Sequence, residues 1–192
     1  MDELRPDVVI NGAAYTAVDK AESEPELAFR INAEAVGYLA GACKKYAAFL
    51  IHVSTDYVFD GSSKTPYKPN DPASPVSVYA ASKRAGEEGV LLAGGPALIV
   101  RTSWLYSSFG HNFVKTMLRL GKERPELKVV ADQVGTPTWA FDLAWAIMLF
   151  VDRYDGHYLK EVYHFSNEGA ISWYDFAKTI MEIKGLDCKV LA

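Results

Sequence analysis

The run Ala47-Ala48-Phe49-Leu50-Ile51-His52-Val53 is apolar at almost every position and closes on Ser54-Thr55-Asp56-Tyr57. So short and continuous an apolar run reads as a strand buried on both faces. A strand of that kind needs cover above and below, which points to helices on both sides of a sheet. The rest of the chain agrees. Asp7-Val8-Val9-Ile10, Ala97 to Arg101 and Val162-Tyr163-His164-Phe165 are further strand candidates, and helical patterns separate them. Strand–helix alternation argues an α/β protein with a mainly parallel sheet. In open sheets of this class, ligands bind outside the C-terminal ends of the strands. Two of these strands end in polar and aromatic groups, Ser54 to Tyr57 and Thr102-Ser103-Trp104, so one shared site is expected there.

The helices are bounded by local signals. Glu24 to Tyr46 is expected as one long helix, with Pro25 in its first turn and Leu27, Ile31, Ala35, Tyr38, Leu39 and Ala42 at helical spacing. Asn32 falls inside that apolar pattern and needs a partner if buried. A turn at Phe59 to Ser63 leads into a loop stiffened by Pro66, Pro69, Pro72 and Pro75. Ser77 is placed to cap a helix that runs to about Leu92 and stops at Gly94-Gly95-Pro96. Helices are also expected over Phe113 to Leu120, over Phe141 to Arg153 with a broad apolar surface against the sheet, and over Ser172 to Lys184.

Chemistry enters at the start of the capped helix. Tyr79 and Lys83 stand four apart and share one helical face. An ammonium near a phenol favours the phenolate, so such a tyrosine can exchange a proton near neutral pH. The spacing recurs at Tyr174 and Lys178, but there it lies in an ordinary capped amphipathic helix with no strand delivering hydroxyls before it. Tyr79 and Lys83 are the candidate catalytic pair, and Tyr174 and Lys178 are read as helix surface. His111 is a lone loop histidine with no adjacent carboxylate and is left out of the mechanism.

Bulk properties exclude several classes. A chain of 192 residues with net charge −4 has no electrostatic reason to bind nucleic acid or an anionic membrane. Its two cysteines, Cys43 and Cys188, form no metal or redox spacing and suit a reducing compartment. No signal-peptide pattern opens the chain, and no apolar run approaches the roughly 18 residues a membrane helix needs. A soluble, cytoplasmic protein without a metal site is expected.

A hydroxyl at a strand end followed by Tyr-x-x-x-Lys resembles the extended branch of the short-chain dehydrogenase/reductase superfamily. Val53-Ser54-Thr55-Asp56-Tyr57-Val58-Phe59-Asp60-Gly61, Arg101-Thr102-Ser103-Trp104-Leu105-Tyr106 and Asp132-Gln133-Val134-Gly135-Thr136-Pro137-Thr138 are similar to the dTDP-4-dehydrorhamnose reductase family within it. The resemblance implies a Rossmann-like doubly wound sheet with parts of a smaller substrate-binding region. It implies NADPH as cofactor, with NADH as the alternative, and a dTDP-sugar as substrate. It assigns Tyr79 to protonating the C4 oxygen and Lys83 to the nicotinamide ribose and the tyrosine pKa. Thr55 would hydrogen-bond the ketone oxygen, and Asp56 and Trp104 would shape the sugar pocket. The segment Asn11 to Glu22 is similar to the family's nicotinamide-lining strip, so Ala13, Ala14, Tyr15, Thr16, Val18 and Val53 join Tyr79 and Lys83 as cofactor contacts. In this branch an asparagine at the position of Asn32 braces the active site. Residues 1–105 are expected to be the later portion of the NADP-binding domain, and 106–192 a substrate-binding region interleaved with its last elements.

One departure qualifies these expectations. None of the 14 glycines falls in a G-x-G-x-x-G turn, the usual pyrophosphate site of a dinucleotide fold. In the family that turn, with about three strands, precedes the segment at which this chain starts, and a last segment after Ala192 is also expected to be missing. The chain is thus expected to be a fragment of a longer enzyme or to receive its first half from elsewhere. The strand at Asp7 to Ile10 would then be an exposed edge, and weak NADPH binding with self-association into homo-oligomers or aggregates is expected. A non-catalytic binding or regulatory protein remains the alternative, since the regulatory subunit of methionine adenosyltransferase resembles the same family. A related epimerase or dehydratase is disfavoured because those chemistries rest on other residues near the Tyr/Lys pair.

Overall fold

The computed structural model describes residues 3–156 and 160–192. In chain order the elements are β1 (Val8–Asn11), α1 (Val18–Ala21), α2 (Pro25–Phe29), a π-helical turn (Arg30–Glu34), α3 (Ala35–Lys45) and β2 (Phe49–Thr55). A 3-10 turn (Asp56–Val58), α4 (Val78–Ala93), β3 (Ala97–Thr102), β4 (Leu105–Tyr106), α5 (Phe113–Glu123) and β5 (Glu126–Lys128) follow. The chain closes with β6 (Val134–Gly135), β7 (Thr138–Trp139), α6 (Ala140–Arg153), β8 (Lys160–His164), β9 (Ile171–Ser172), α7 (Trp173–Lys184) and β10 (Lys189–Leu191). These form two compact units, one of residues 1–102 and 147–165, the other of 103–146 and 166–192.

The first unit is built on a parallel sheet in the order β1-β2-β3-β8. This is the α/β arrangement that the strand–helix alternation implies. Six of the seven residues of β2 are buried, and only Val53 is half-buried, as expected of a strand with neighbours on both sides. Its side chains divide by parity. Leu50 belongs to a core cluster with Val36, Ala40, Cys43 and Val90 from the helices and Ala97 and Ile99 of β3. Phe49, one residue away and so on the opposite face, stacks on Tyr154 with ring centroids 4.1 Å apart. Among the described residues β1 pairs with β2 alone and so forms an edge, and Ile10 on it is 47% exposed.

Several local signals act as read. The Ser77 hydroxyl accepts the N–H of Ala80 at 3.2 Å and caps α4. Gly94, at φ 71°, ends α4 in the left-handed conformation that glycine adopts without strain. The long helix expected over Glu24 to Tyr46 differs from the structure, because a π turn at Arg30–Glu34 separates α2 from α3. Its cause is tertiary. Asn32, wholly buried, makes three hydrogen bonds from this turn, and α4 presses against its backbone at Gly86. The apolar stripe expected on α6 also divides: Leu143 and Ile147 are buried, while Leu149 is exposed along with Phe141, Trp145 and Met148.

The second unit packs α5 on α7. Met117, Leu127, Ala177, Ile180, Met181 and Cys188 form its core. The Ser172 hydroxyl caps α7 by accepting the N–H of Asp175 at 3.0 Å. Parallel β5 and β10 pair along its edge.

Candidate active site

β2 and α4 bring the expected catalytic residues together. Thr55 ends β2, nearly buried, and begins the 3-10 turn by accepting the N–H of Tyr57 at 3.2 Å. Its hydroxyl donates to the Asp56 carboxylate at 3.2 Å, and its polar influence favours the phenolate of Tyr79. Thr55 has one proton and Asp56 holds it, so a negative charge growing on the Tyr79 oxygen would compete with Asp56 for it. The Tyr57 ring meets Tyr79 edge-on, with centroids 5.8 Å apart.

One helical turn beyond Tyr79, Lys83 is buried, and its ammonium donates to the carbonyl of Val53 at 2.8 Å. Burial lowers its pKa to about 8, with Glu87 acting in the opposite sense. Burial raises the pKa of Tyr79, the Thr55 bond opposes this, and the charge of Asp56 adds to the rise. The lowering expected from Lys83 is not what sets the tyrosine here. Asp56 is pushed up to about 6 by burial, against the Thr55 bond and backbone N–H groups that favour its charge.

The segment expected to line the cofactor packs against α4, the helix that carries this pair. Ala13 and Thr16 are exposed, and Ala14, Tyr15 and Val18 are half-buried. The Ala13 N–H is held by Asn11 Oδ1 at 3.2 Å. Asn32 grips both backbone groups of Tyr15: its Oδ1 accepts the N–H at 2.8 Å and its Nδ2 donates to the carbonyl at 3.0 Å. Residue 22 closes the strip onto α4, where its carboxylate accepts the N–H of Val78 at 2.8 Å. Glu22 is therefore a positioning group that the sequence reading passed over.

Sequence reasoning also missed the buried charges under the site. Glu87 is wholly buried and receives Arg101 Nε at 2.8 Å and Nη2 at 2.7 Å, with Arg84 Nη1 at 3.0 Å. Arg101 also reaches the Pro69 carbonyl at 3.2 Å, so the proline-rich loop is tied to β3. Burial would raise the Glu87 pKa, but the Arg101 bond and charge outweigh it and the net shift is downward. His52, wholly buried, takes Asn11 Nδ2 on its Nδ1 at 3.0 Å and is held neutral, its pKa lowered to about 3 mainly by burial and by the Lys83 charge.

Trp104 belongs to the second unit. Its backbone sits at φ 46°, a strained value for a bulky residue. Its indole stacks on Trp173 with centroids 3.5 Å apart and an interplanar angle of 11°. A Cβ on Gly135 would stand 2.5 Å from that indole, so the glycine of the Asp132-to-Thr138 run makes room for the ring. Tyr174 and Lys178 lie on α7, and Lys178 approaches Glu182 at 3.9 Å on an exposed face. Among the described residues no cluster of histidine, cysteine, aspartate or glutamate could hold a metal ion, and no helix is long and apolar enough to cross a membrane.

A curated dTDP-4-dehydrorhamnose reductase of Burkholderia thailandensis is 47% identical over 94% of this chain. The spore coat polysaccharide biosynthesis protein SpsK of Bacillus subtilis is 44% identical over 98%. The chain spans 62% and 65% of the lengths of these two relatives. A crystal structure of dTDP-4-dehydrorhamnose reductase from Bacillus anthracis in complex with NADP matches at a TM-score of 0.93 with 45% identity, covering 99% of this chain and 67% of that one. The family model described as the RmlD substrate binding domain matches residues 1–191, and the chain belongs to that family.

Proposed function

We propose that the chain forms the catalytic and substrate-binding part of an NADPH-dependent reductase that converts dTDP-4-dehydrorhamnose to dTDP-rhamnose. The observation that carries this reading is buried Lys83, one turn beyond Tyr79 on α4 and bonded to the Val53 carbonyl of β2, the strand that ends in Thr55. The relatives named above support the substrate and the cofactor.

The residues present fit a nicotinamide cofactor. The strip Ala13-Ala14 presents small side chains, and a Cβ at Gly12 would meet nothing within 4 Å, so a flat ring can lie close to the backbone. Lys83 spends one of its three donors on Val53, and the others suit ribose hydroxyls. Ala13, Ala14, Tyr15, Thr16, Val18 and Val53 would line the ring and its ribose. The bound cofactor supplies the hydride. Tyr79 protonates the oxygen that forms at C4, and Thr55 donates a hydrogen bond where negative charge grows, the electrostatic role that usually contributes most. Asp56, with its pKa raised to about 6, is mostly charged at neutral pH and can accept a sugar hydroxyl in place of Thr55, releasing the Thr55 proton. Trp104 offers an aromatic face to the sugar nucleotide.

In this reading residues 1–105 carry the catalytic and cofactor functions together with the substrate contacts of Thr55, Asp56 and Trp104, and residues 106–192 add a substrate-binding region interleaved with the last elements of the first unit. The two cysteines, both buried and free, support a reducing, cytoplasmic setting. The test is NADPH oxidation, followed by absorbance, with dTDP-4-dehydrorhamnose and the polypeptide carrying residues 1–192. Turnover that Tyr79→Phe abolishes is expected. Turnover that survives this change removes Tyr79 from the chemistry, and no turnover above background overturns the reading in favour of a binding or regulatory role.

A further inference from the structure

Ser82 is wholly buried, yet none of the chemistry above uses it. Its hydroxyl donates to the carbonyl of Tyr79 at 2.7 Å and accepts Asn32 Nδ2 at 3.0 Å. The same Asn32 nitrogen donates to the Tyr15 carbonyl, and the other end of the carboxamide accepts the Tyr15 N–H. An amide has two N–H donors and one oxygen. Here one donor goes to Tyr15, one to Ser82, and the oxygen faces a donor. Ser82 is an acceptor only for the nitrogen end, because its own proton is committed to Tyr79. It therefore fixes which way the carboxamide points. If the amide turned over, the Tyr15 N–H would face an NH2 group, and two buried donors would lose their partners.

We propose that Ser82 is a positioning residue for the reaction, locking the Asn32 carboxamide so that the cofactor strip at Tyr15 is held in register with the backbone of catalytic Tyr79. The link runs from the Tyr15 backbone through two buried side chains, Asn32 and Ser82, to the Tyr79 carbonyl, and crosses from β1's loop to α4 by way of the π turn. The contact between Glu22 and Val78 fastens the far end of the same strip to the first turn of α4. The strip is thus held to α4 at two separate points, of which Ser82 governs the one nearest the nicotinamide face. The catalytic meaning rests on the reductase reading, whereas the hydrogen-bond relay does not.

The test is residue-resolved amide hydrogen exchange by NMR on the chain with Ser82→Ala. A single internal hydrogen bond is worth about 1 kcal/mol, so exchange at the Tyr15 N–H should rise about tenfold or less while the sheet amides of Leu50 and Ile99 keep their rates. NADPH titration of the same variant should show weaker binding. In the polypeptide that turns over, KM for NADPH should rise more than kcat falls. Ser82→Cys keeps the volume with a poor acceptor and covers the case in which the alanine variant fails to fold. Its Tyr15 exchange should change in the same direction. An unchanged Tyr15 rate in a folded variant overturns the proposal. So does an equal rise at Tyr15, Leu50 and Ile99, because that marks general loosening of the core. Selective Tyr15 exchange in a protein that never oxidises NADPH keeps the relay and discards the reductase reading.

Discussion

A Cβ placed on Gly86 would stand 2.1 Å from the backbone carbonyl oxygen of Asn32. The oxygen belongs to the π turn and the glycine to the middle of α4, so neither can withdraw without moving a helix. Gly86→Ala should therefore lower stability by about 1–3 kcal/mol, the range for overpacking, despite the better helix propensity of alanine. Gly41 in α3 is the control, since a Cβ there would meet nothing within 4 Å. Gly41→Ala should hold or slightly raise the melting temperature. If thermal melting shows both variants gaining stability, the close approach of the two helices is not real.

Tyr79→Phe keeps the ring against Tyr57 and removes only the proton donor. It should lower kcat by roughly 10²–10⁴ with little change in KM, the range for a lost general acid. Tyr174→Phe, on α7 beside exposed Lys178, should leave kcat nearly untouched. Steady-state kinetics with equal losses in both variants would remove Tyr79 from the mechanism.

Asp56 gives stability a definite pH dependence. Its folded pKa of about 6 lies above the ordinary 3.8, so its contribution is complete below about pH 4 and is lost as pH rises through about 6. At higher pH the buried charge weakens the fold. Asp56→Asn removes that charge and keeps an acceptor for Thr55. It should stabilise the protein by about 1–2 kcal/mol near pH 8, with the gain vanishing near pH 4. Denaturant melts at the two pH values decide this, and a gain of the same size at both would show that Asp56 does not titrate as described.

β1 presents an open edge with Ile10 at 47% exposure. Unpaired strand edges with apolar side chains template pairing with another chain. The 192-residue chain should associate with rising concentration in light scattering, and Ile10→Lys should reduce the effect. A wild-type chain that stays monomeric across the range would show that the edge is protected.

The elements that the sequence determined by itself are those whose causes are local. Ser77 caps α4 three residues ahead, Gly94 stops it, and the run from Phe49 is apolar at too many positions to lie anywhere but inside a covered sheet. Tyr79 and Lys83 share a face because a helix has a fixed period, and the strand before them could be read from its own composition. What the tertiary structure decided depends on residues brought together from far apart. The helical spacing from Glu24 to Tyr46 carries no sign of a π turn, because the cause is Gly86 pressing on Asn32 across more than fifty positions. Ser82 looked like one more small residue beside Lys83, and its role follows only from which atom of Asn32 reaches it. The pairing of Glu87 with Arg101, and the burial that moves Asp56, Lys83 and His52 from their ordinary pKa values, likewise have no local signature. Solvent exclusion and hydrogen-bond partners are properties of the packed chain, and no periodicity or spacing encodes them.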